Sequence, residues 1–256
     1  MINDFQLTLI NSDTKGKIFA NHNLNRYLIN QGIRKNQIVH DYINKSEEGS
    51  VVFSVGEGKN LLLVGGVHGD ELPPQAALLR LLANILEGNL SLNSRLHIIP
   101  FLIPKSTMEN TRYYNDKDMN RFANSDGITK SIIDYAEDSN VLALCDCHST
   151  DPSRNPGIKS VFCSLKPQIE SIRIAKFISQ KTNSKILPTS LAGSTIHGAV
   201  EDESNLRGIP AVTCECVSPV QLIEKNAVDE SYEQILSFLN YFNAINCYIG
   251  DCHVFI

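Results

Sequence analysis

The stretch LLLVGGVHGDELPP, residues 61–74, determines how the rest of the sequence is interpreted. Its first seven residues form a short apolar run that closes on glycines, a pattern typical of a buried strand. Pro73 and Pro74 follow at positions where the first turn of a helix tolerates proline. The strongly apolar residues 76–86, ended by Gly88, then predict a helix. A buried strand, a glycine-rich turn and a helix are therefore predicted in direct succession.

The same alternation of strand and helix patterns continues along the chain. Further strands are predicted at residues 51–55, 95–101, 141–147 and 210–217. Helices are predicted at residues 23–29, 128–138, 169–181 and 228–242. Because strands alternate with helices, we expect an α/β fold with a mixed, mostly parallel central sheet and helices on both faces.

The length fits one large domain. We expect a single domain over residues 1–256, with residues 1–58 as an N-terminal extension packed on it. The net charge of −5 argues against nucleic-acid binding. No apolar run is long enough to span a bilayer, and the first residues lack the pattern of a signal peptide, so we expect no membrane association. Seven cysteines without the spacing of a disulfide framework favour a reduced, cytoplasmic protein.

Three side chains with metal-ligand chemistry follow two of the predicted strands. His68 and Glu71 lie in the glycine-rich turn, and His148 comes directly after the predicted strand at residues 141–147. Open α/β sheets bind ligands beyond the carboxyl ends of their strands. Two histidines and one glutamate with an open fourth position are the usual ligands of a catalytic zinc ion, and they suit zinc better than calcium. A chance His-x-x-Glu match and a core histidine are the alternatives, but the two strand ends together favour a metal site.

Two carboxylates stand near these strand ends. Asp146 lies two residues before His148, so on a strand it faces the same side and could orient the imidazole; a local hydrogen bond is an equal alternative. Glu215 lies between Cys214 and Cys216 in a strand where a lone carboxylate is costly to bury. Glu215 could take a proton from a zinc-bound water, or it could form a salt bridge with a neighbouring basic residue.

The stretch NTRYYNDKDMNRF, residues 110–122, supplies the polar donors Arg112, Asn120 and Arg121. Arginine is suited to bidentate capture of a carboxylate and to stabilising a developing oxyanion. A solvated loop is the alternative, and the chemistry of these side chains alone does not decide between them.

Four motifs together resemble the zinc carboxypeptidase superfamily, especially its aspartoacylase and succinylglutamate desuccinylase branch. They are GGVHGDE, the Arg112 and DMNRF stretch, DCHST and CECVSP, which span residues 65–219 in the family's order. Each motif is weak alone, and the ordered combination is specific.

The resemblance implies a role for each candidate residue. One zinc ion per chain, Zn²⁺, would be bound by the three ligands named above. Glu215 would be the general base and then the proton donor to the leaving amine. Arg112 would polarise the scissile carbonyl, and Asn120 and Arg121 would hold the substrate carboxylate beside the bond being cut.

The expected function is therefore a zinc-dependent hydrolase that cleaves an amide bond next to a free carboxylate and deacylates an N-acyl amino acid. The first alternative is a metallocarboxypeptidase or murein peptide amidase acting on small peptides, and the second is a non-catalytic zinc or ligand-binding module. The expected partner is a small molecule or short peptide with a free carboxylate.

Two features depart from the acylase branch. Its enzymes carry a C-terminal β-rich domain that roofs the site, whereas this sequence ends about forty residues after Glu215. We therefore expect no roof domain and a more open cleft, which favours peptides, while the motif spelling favours the acylases. No substrate-contacting tyrosine can be assigned, because Tyr113 and Tyr114 are better interpreted as packing aromatics. The Gly-bounded stretch GSTIHG, residues 193–198, could line the pocket.

Overall fold

A mixed eight-stranded sheet forms the centre of the structure, a computed structural model that describes residues 4–125 and 127–247. The strands are β1 Phe5–Asn11, β2 Ser50–Val55, β3 Lys59–Gly65, β4 Leu90–Leu92, β5 Ser94–Ile99, β6 Ala143–Thr150, β7 Ser160–Ser164, β8 Lys185–Thr189, β9 Ala211–Val217 and β10 Ile245–Cys247. The helices are α1 His22–Asn30, α2 Gln37–Ser46, α3 Leu72–Leu86, α4 Pro104–Glu109, α5 Lys130–Asp138, α6 Ile169–Thr182, α7 Val200–Leu206 and α8 Lys225–Tyr241.

The order of strands in the main sheet is β1-β2-β5-β3-β6-β9-β7-β8. The pairs β5–β3, β3–β6, β6–β9 and β7–β8 are parallel, and the pairs β1–β2, β2–β5 and β9–β7 are antiparallel. Strands β4 and β10 form a separate antiparallel pair. The predicted fold class, a mixed and mostly parallel sheet with helices on both faces, is confirmed. Residues 1–58, predicted as an N-terminal extension, contribute β1 and β2 to this sheet.

The continuous apolar character of the central strands follows from their burial on both faces. In β3, Leu61 and Leu63 belong to one core cluster, while Leu62 and Val64 belong to the other. The first cluster includes side chains from α1, α2, α3, α6 and α8, and the second includes side chains from α5 and α7. The alternation of side chains along a strand therefore fills two cores from one apolar run.

Strand β6 uses the same alternation to separate apolar from polar side chains. Cys145 and Cys147 face the larger core, where they pack with Cys214, and all three are free thiols. Asp146 and His148 point to the opposite face, and both are buried. The polar side chains of β6 therefore lie on the face covered by α5 and α7. None of the helices in the described residues is long and apolar enough to cross a bilayer.

One buried histidine gives the fold a pH-dependent stability. Nδ1 of His97 lies 2.9 Å from the hydroxyls of both Ser54 and Tyr135, and Nε2 lies 3.2 Å from Oδ1 of Asn60. Burial, and then the charge of Arg95, lowers the pKa of His97 to about 4, against 6.5 in the unfolded chain. The stability from keeping His97 neutral is therefore complete above pH 6.5 and is lost as the pH falls from 6.5 to 4.

We expect the free energy of unfolding of the natural chain to fall between pH 7.5 and pH 5 by about 2 kcal/mol more than that of His97→Asn, because only the natural chain keeps this imidazole neutral. Urea unfolding at both pH values measures the difference. The exposed His22 provides the control His22→Asn, which should behave like the natural chain. An equal fall for His97→Asn and the natural chain would contradict the assignment.

Candidate metal centre

The three predicted ligands meet at the carboxyl ends of adjacent parallel strands. His68 and Glu71 lie between β3 and α3, and His148 lies on β6, which pairs with β3. All three residues are buried. One ligand atom from each can be chosen so that all three atoms lie within 4.8 Å of one another, and the two imidazole rings have centroids 4.9 Å apart. Such a group can hold a metal ion.

Two glycines allow the turn that presents His68 and Glu71. Gly66 adopts a φ of +69°, a left-handed conformation that disfavours other residues. Gly69 packs against the backbone at Ser106, where an added Cβ would lie 1.9 Å from the carbonyl carbon. The turn is therefore held against the start of α4 at a distance that only glycine permits.

A buried glutamine holds the same turn from the other side. Gln75, on the first turn of α3, is fully buried, and its Nε2 donates to the carbonyl of Glu71 at 3.1 Å and to that of His68 at 3.3 Å. The hydroxyl of Thr107 donates to its Oε1 at 3.1 Å. Gln75 therefore fixes the backbone on either side of the ligands, a role that nothing in its sequence pattern predicts.

The hydrogen bonds around the two histidines fit a divalent cation. The Nδ1 atoms of His68 and His148 lie 2.8 Å from Oε1 and Oε2 of Glu71, respectively. The Nε2 atoms lie 2.8 Å from Asp118 and 2.9 Å from Asp146, respectively. A neutral imidazole has only one N–H, yet each ring meets a carboxylate at both nitrogens. If His68, His148 and Glu71 held a cation, both rings would be neutral and each would donate its Nε2–H to an aspartate, as metal-bound histidines usually do.

The electrostatics of the ligands agree with this fit. Burial on its own raises the pKa of Glu71, but His68 and His148 outweigh it and hold that pKa well below its usual range. Burial lowers the pKa of His148, but Asp146 and Glu71 together raise it well above the usual value. Three carboxylates around two imidazoles leave an excess of negative charge, which favours a bound cation.

Asp118 is a site residue that the sequence pattern does not reveal. Its Oδ1 contacts His68, and its Oδ2 accepts from Nε and Nη2 of Arg112 at 3.2 and 3.0 Å. Nη1 of Arg112 also donates to Glu71 at 3.1 Å. Asp118 lies in the same polar stretch as Arg112. It is 50 residues from His68 in the sequence, and no local pattern predicts that the loop brings the two side chains together.

The two predicted carboxylate-binding residues lie in the same loop and line the same cavity. Asn120 is nearly buried, and its Oδ1 accepts from the backbone N–H of Val200 at the start of α7, 3.0 Å away. This bond leaves the amide group of Asn120 available as a donor. Arg121 is more exposed and lies against Gly198, where a side-chain Cβ would come 2.3 Å from the Arg121 carbonyl oxygen.

Glu215 faces the cavity beside the ligands. It is the register neighbour of His148 across β6 and β9. Its Oε2 is buried without a hydrogen-bond partner, and it forms no ion pair with any residue in the described ranges. Burial, and then the charge of Glu71, raises the pKa of Glu215 to about 8 in the metal-free chain. The salt-bridged alternative is not what the structure shows, and the orientation fits a group that exchanges protons with a ligand.

One cavity of about 540 Å³ connects these groups. It is lined by the three predicted metal ligands and by the four predicted catalytic and substrate-binding residues, namely His68, Glu71, His148, Arg112, Asn120, Arg121 and Glu215. Tyr113, half exposed, also lines it, so the interpretation of this tyrosine as a packing residue is wrong. Thr195 lines the cavity from the stretch 193–198.

Comparison with known proteins agrees with this architecture. Residues 57–144 match the model of the succinylglutamate desuccinylase/aspartoacylase catalytic domain, a segment that contains His68 and Glu71 but ends before His148 and Glu215. No curated protein sequence matches the chain significantly.

Solved structures share the fold at low sequence identity. A succinylglutamate desuccinylase from Silicibacter sp. TM1040 aligns with 78% of this chain and 63% of its own, at 18% identity and a TM-score of 0.61. The cell shape determinant protein Csd4 from Helicobacter pylori aligns over 78% and 56%, at 14% identity and a TM-score of 0.60. A metallo-carboxypeptidase from Burkholderia cenocepacia aligns over 76% and 61%, at 12% identity and a TM-score of 0.56. This chain thus spans about three fifths of the length of these structures.

We expect Asp118→Asn to weaken zinc binding by about 10- to 100-fold, because the substitution removes the anionic partner of the His68 imidazole. Asparagine keeps the oxygen that accepts from the backbone N–H of Asn120, so the loop should be preserved. Competition with a fluorescent zinc chelator measures the affinity. Asp116→Asn, at an exposed position with a φ of +60° that asparagine tolerates, is the matched control. Equal affinities in Asp118→Asn and the natural chain would exclude this role.

Proposed function

We propose that this chain is a zinc-dependent hydrolase of amide bonds next to a free carboxylate. Its resemblance to the aspartoacylase and succinylglutamate desuccinylase branch, which the family match confirms, supports the proposal. The observation that carries the proposal is the convergence of His68, Glu71 and His148 on one cavity that Glu215 also lines. A metal-ligand set with a carboxylate oxygen beside it that is buried and unpaired is the arrangement that metal-assisted hydrolysis of an amide uses. The substrate class we propose first is N-acyl amino acids.

His68, Glu71 and His148 would hold the zinc ion, and when bound it would supply Lewis-acid chemistry, namely polarisation of a carbonyl and a lower pKa of bound water. Glu215 then accepts a proton from the attacking water as the oxygen–carbon bond forms. It returns the proton to the nitrogen as the carbon–nitrogen bond breaks, so that the products are a carboxylic acid and a free amine. The buried Oε2 of Glu215 has no competing hydrogen bond within the described residues.

We assign to Arg112 the stabilisation of the charge that develops on the carbonyl oxygen. Asp118 and Glu71 hold its guanidinium in the cavity through three hydrogen bonds of 3.0 to 3.2 Å. Donors fixed in advance stabilise an oxyanion without reorganisation during the reaction. Arg121 and the amide group of Asn120 are the donors proposed for the substrate carboxylate.

Cleavage of a small peptide next to its free carboxyl end is the second candidate. The fold is shared with a metallo-carboxypeptidase, and Csd4 has been solved with a tripeptide bound. Tyr113 is half exposed at the cavity, and the volume of about 540 Å³ leaves room beyond a short acyl group. A non-catalytic zinc-binding module is disfavoured, because such a protein has no reason to keep a buried, unpaired carboxylate oxygen of Glu215 beside the ligands.

We expect the zinc-loaded chain to hydrolyse at least one substrate from a panel of N-acyl amino acids and dipeptides with a free carboxyl end. Glu215→Gln should lower kcat by about 10³-fold on that substrate, because the amide cannot accept the proton. Its zinc affinity should stay within about threefold of the natural value, since Glu215 is not a ligand. Glu224→Gln, at an exposed position, serves as the control. Full turnover by Glu215→Gln would eliminate its role as general base.

Substitutions of Arg112 and Arg121 should affect different kinetic constants. We expect Arg112→Lys to lower kcat by about 10²-fold with little change in KM, because a lysine cannot reproduce the fork that Asp118 holds and the contact forms in the transition state. We expect Arg121→Gln to raise KM by about 10-fold or more with a smaller change in kcat, because it removes a contact made equally in the bound substrate. Steady-state kinetics on the same substrate measures both. The reverse pattern would exchange the two assignments.

A further inference from the structure

Strand β9 loses one of its two neighbouring strands at the residue that lies beside the candidate metal ligands. On one edge, β9 pairs with β6 as far as Val217, its last residue. On the other edge, its pairing with β7 ends at Glu215, which lies opposite Ser160, the first residue of β7. The end of β9 after Glu215 is therefore paired on one edge only, and its backbone groups on the other edge need partners from outside the sheet.

A buried glutamine of α8 supplies a donor at this point. Gln234 is fully buried, and its Nε2 donates to the carbonyl of Glu215 at 3.2 Å and to that of Ser160 at 3.3 Å. It also donates to the hydroxyl of Ser184, 3.0 Å away, in the residue directly before β8. A single amide group thus joins β9, at the position of Glu215, to the starts of β7 and β8.

A glutamate of the same helix contacts β9 two residues further along. Glu230 lies four residues before Gln234, on the same side of α8. Its Oε2 accepts from the backbone N–H of Val217 at 3.3 Å, and its Oε1 lies 3.9 Å from Nζ of Lys159. The backbone groups of residues two apart point to the same edge of a strand. Glu230 and Gln234 therefore continue, along the end of β9, the hydrogen bonding that stops where β7 begins.

The carboxylate of Glu215 has no polar contacts of its own that would hold it in place. Its buried Oε2 has no hydrogen-bond partner, and the group forms no ion pair with any residue that the structure describes. Where this carboxylate lies in the cavity is therefore set by the backbone of β9. That backbone is held by β6 on one edge and by the two side chains of α8 on the other.

We propose that Gln234 and Glu230 are positioning residues, which fix the end of β9 so that Glu215 meets a ligand bound at the candidate metal centre. This inference rests on the proposed function, in which Glu215 is the general base. A base acts only within hydrogen-bond reach of the proton it accepts, and a misplacement of about 1 Å can cost about 100-fold in rate. Neither Gln234 nor Glu230 lines the cavity, so both act through Glu215 rather than on the substrate.

Gln234→Met removes the donor and keeps a side chain of similar length. We expect kcat of the zinc-loaded full chain to fall about 10-fold or more, with KM and the zinc affinity within about threefold of the natural values, because only the base is displaced. Ile235→Val, at the fully buried neighbouring position of α8, is the control. It should lower the thermal unfolding temperature and leave kcat within about twofold. A kcat of Gln234→Met equal to that of the natural chain would overturn the inference.

Glu230 provides a second test at a partly exposed position, where a substitution disturbs the core less. Glu230→Gln keeps an oxygen that can accept from the backbone N–H of Val217, whereas Glu230→Met has none. Both variants lose the ion pair with Lys159, so the difference between them isolates the hydrogen bond. We expect Glu230→Met to lower kcat about fivefold and Glu230→Gln to stay within about twofold of the natural chain. Equal losses in the two variants would contradict the role of Glu230.

A double substitution tests whether the effect of Gln234 passes through Glu215. The probe is acetohydroxamic acid, which chelates zinc and brings a proton that a nearby carboxylate can accept. Calorimetry of the zinc-loaded chain should show that Glu215→Gln and Gln234→Met each raise the Kd of the probe about fivefold or more. Together they should raise it no further than Glu215→Gln alone, because residues that act through one group are not additive.

The binding measurement separates this inference from the proposed function, since it requires no turnover. The non-additive result supports the inference even if no panel substrate is hydrolysed, an outcome that would count only against the proposed function. Additive effects of Gln234→Met and Glu215→Gln would show a general loosening of the site. They would overturn the inference and leave the proposed function standing.

Discussion

The site depends on the contacts of the Glu71 carboxylate, because its two oxygens lie beside two imidazoles that follow or belong to different strands. Oε1 lies beside Nδ1 of His68 in the turn after β3, and Oε2 lies beside Nδ1 of His148 on β6. The backbone N–H of Ser149 also donates to Oε2 at 2.9 Å, so the start of α3 is joined directly to β6. This arrangement requires β3 and β6 to be parallel neighbours whose carboxyl ends meet at one edge of the sheet. A one-residue slip in their pairing would turn His148 toward the opposite core, where the cysteines of β6 now pack.

The centre of the fold is predictable from the sequence because its strands are buried on both faces. β3, β5, β6 and β9 appear as short apolar runs, and the long helices α3, α6 and α8 carry regular apolar faces. The strands near the sheet edges carry weaker signals. β1 is partly exposed along its length, β7 begins and ends in serine, and β8 contains Pro188 and exposed residues. Their pairing depends on neighbours distant in sequence, which no local pattern encodes.

The meeting of the three candidate metal ligands is predictable for a different reason, since their side-chain chemistry stands out at strand ends. Asp118 and Gln75 are not predictable, because each acts through groups brought to it by the tertiary fold. The acids Glu201 and Asp202 illustrate the same limit. An acidic run on a short helix has the pattern of a solvated face, and only the packing of α7 against β6 and β9 buries it. A local sequence pattern therefore predicts the chemistry of a side chain but not its environment in the folded protein.

Asp118 shows how a loop without regular structure can hold side chains of the candidate site in place. One of its oxygens contacts His68 and the other accepts from Arg112, so the candidate metal ligand and the proposed oxyanion donor are positioned by a single carboxylate. The loop is fixed beyond this point as well. The hydroxyl of Thr129 donates to the carbonyl of Met119 at 2.8 Å, and the backbone N–H of Ala123 donates to the carbonyl of Gly198 at 2.9 Å. Since Gly198 leads directly into α7, the cavity wall formed by the start of this helix is joined to the loop that carries the arginines.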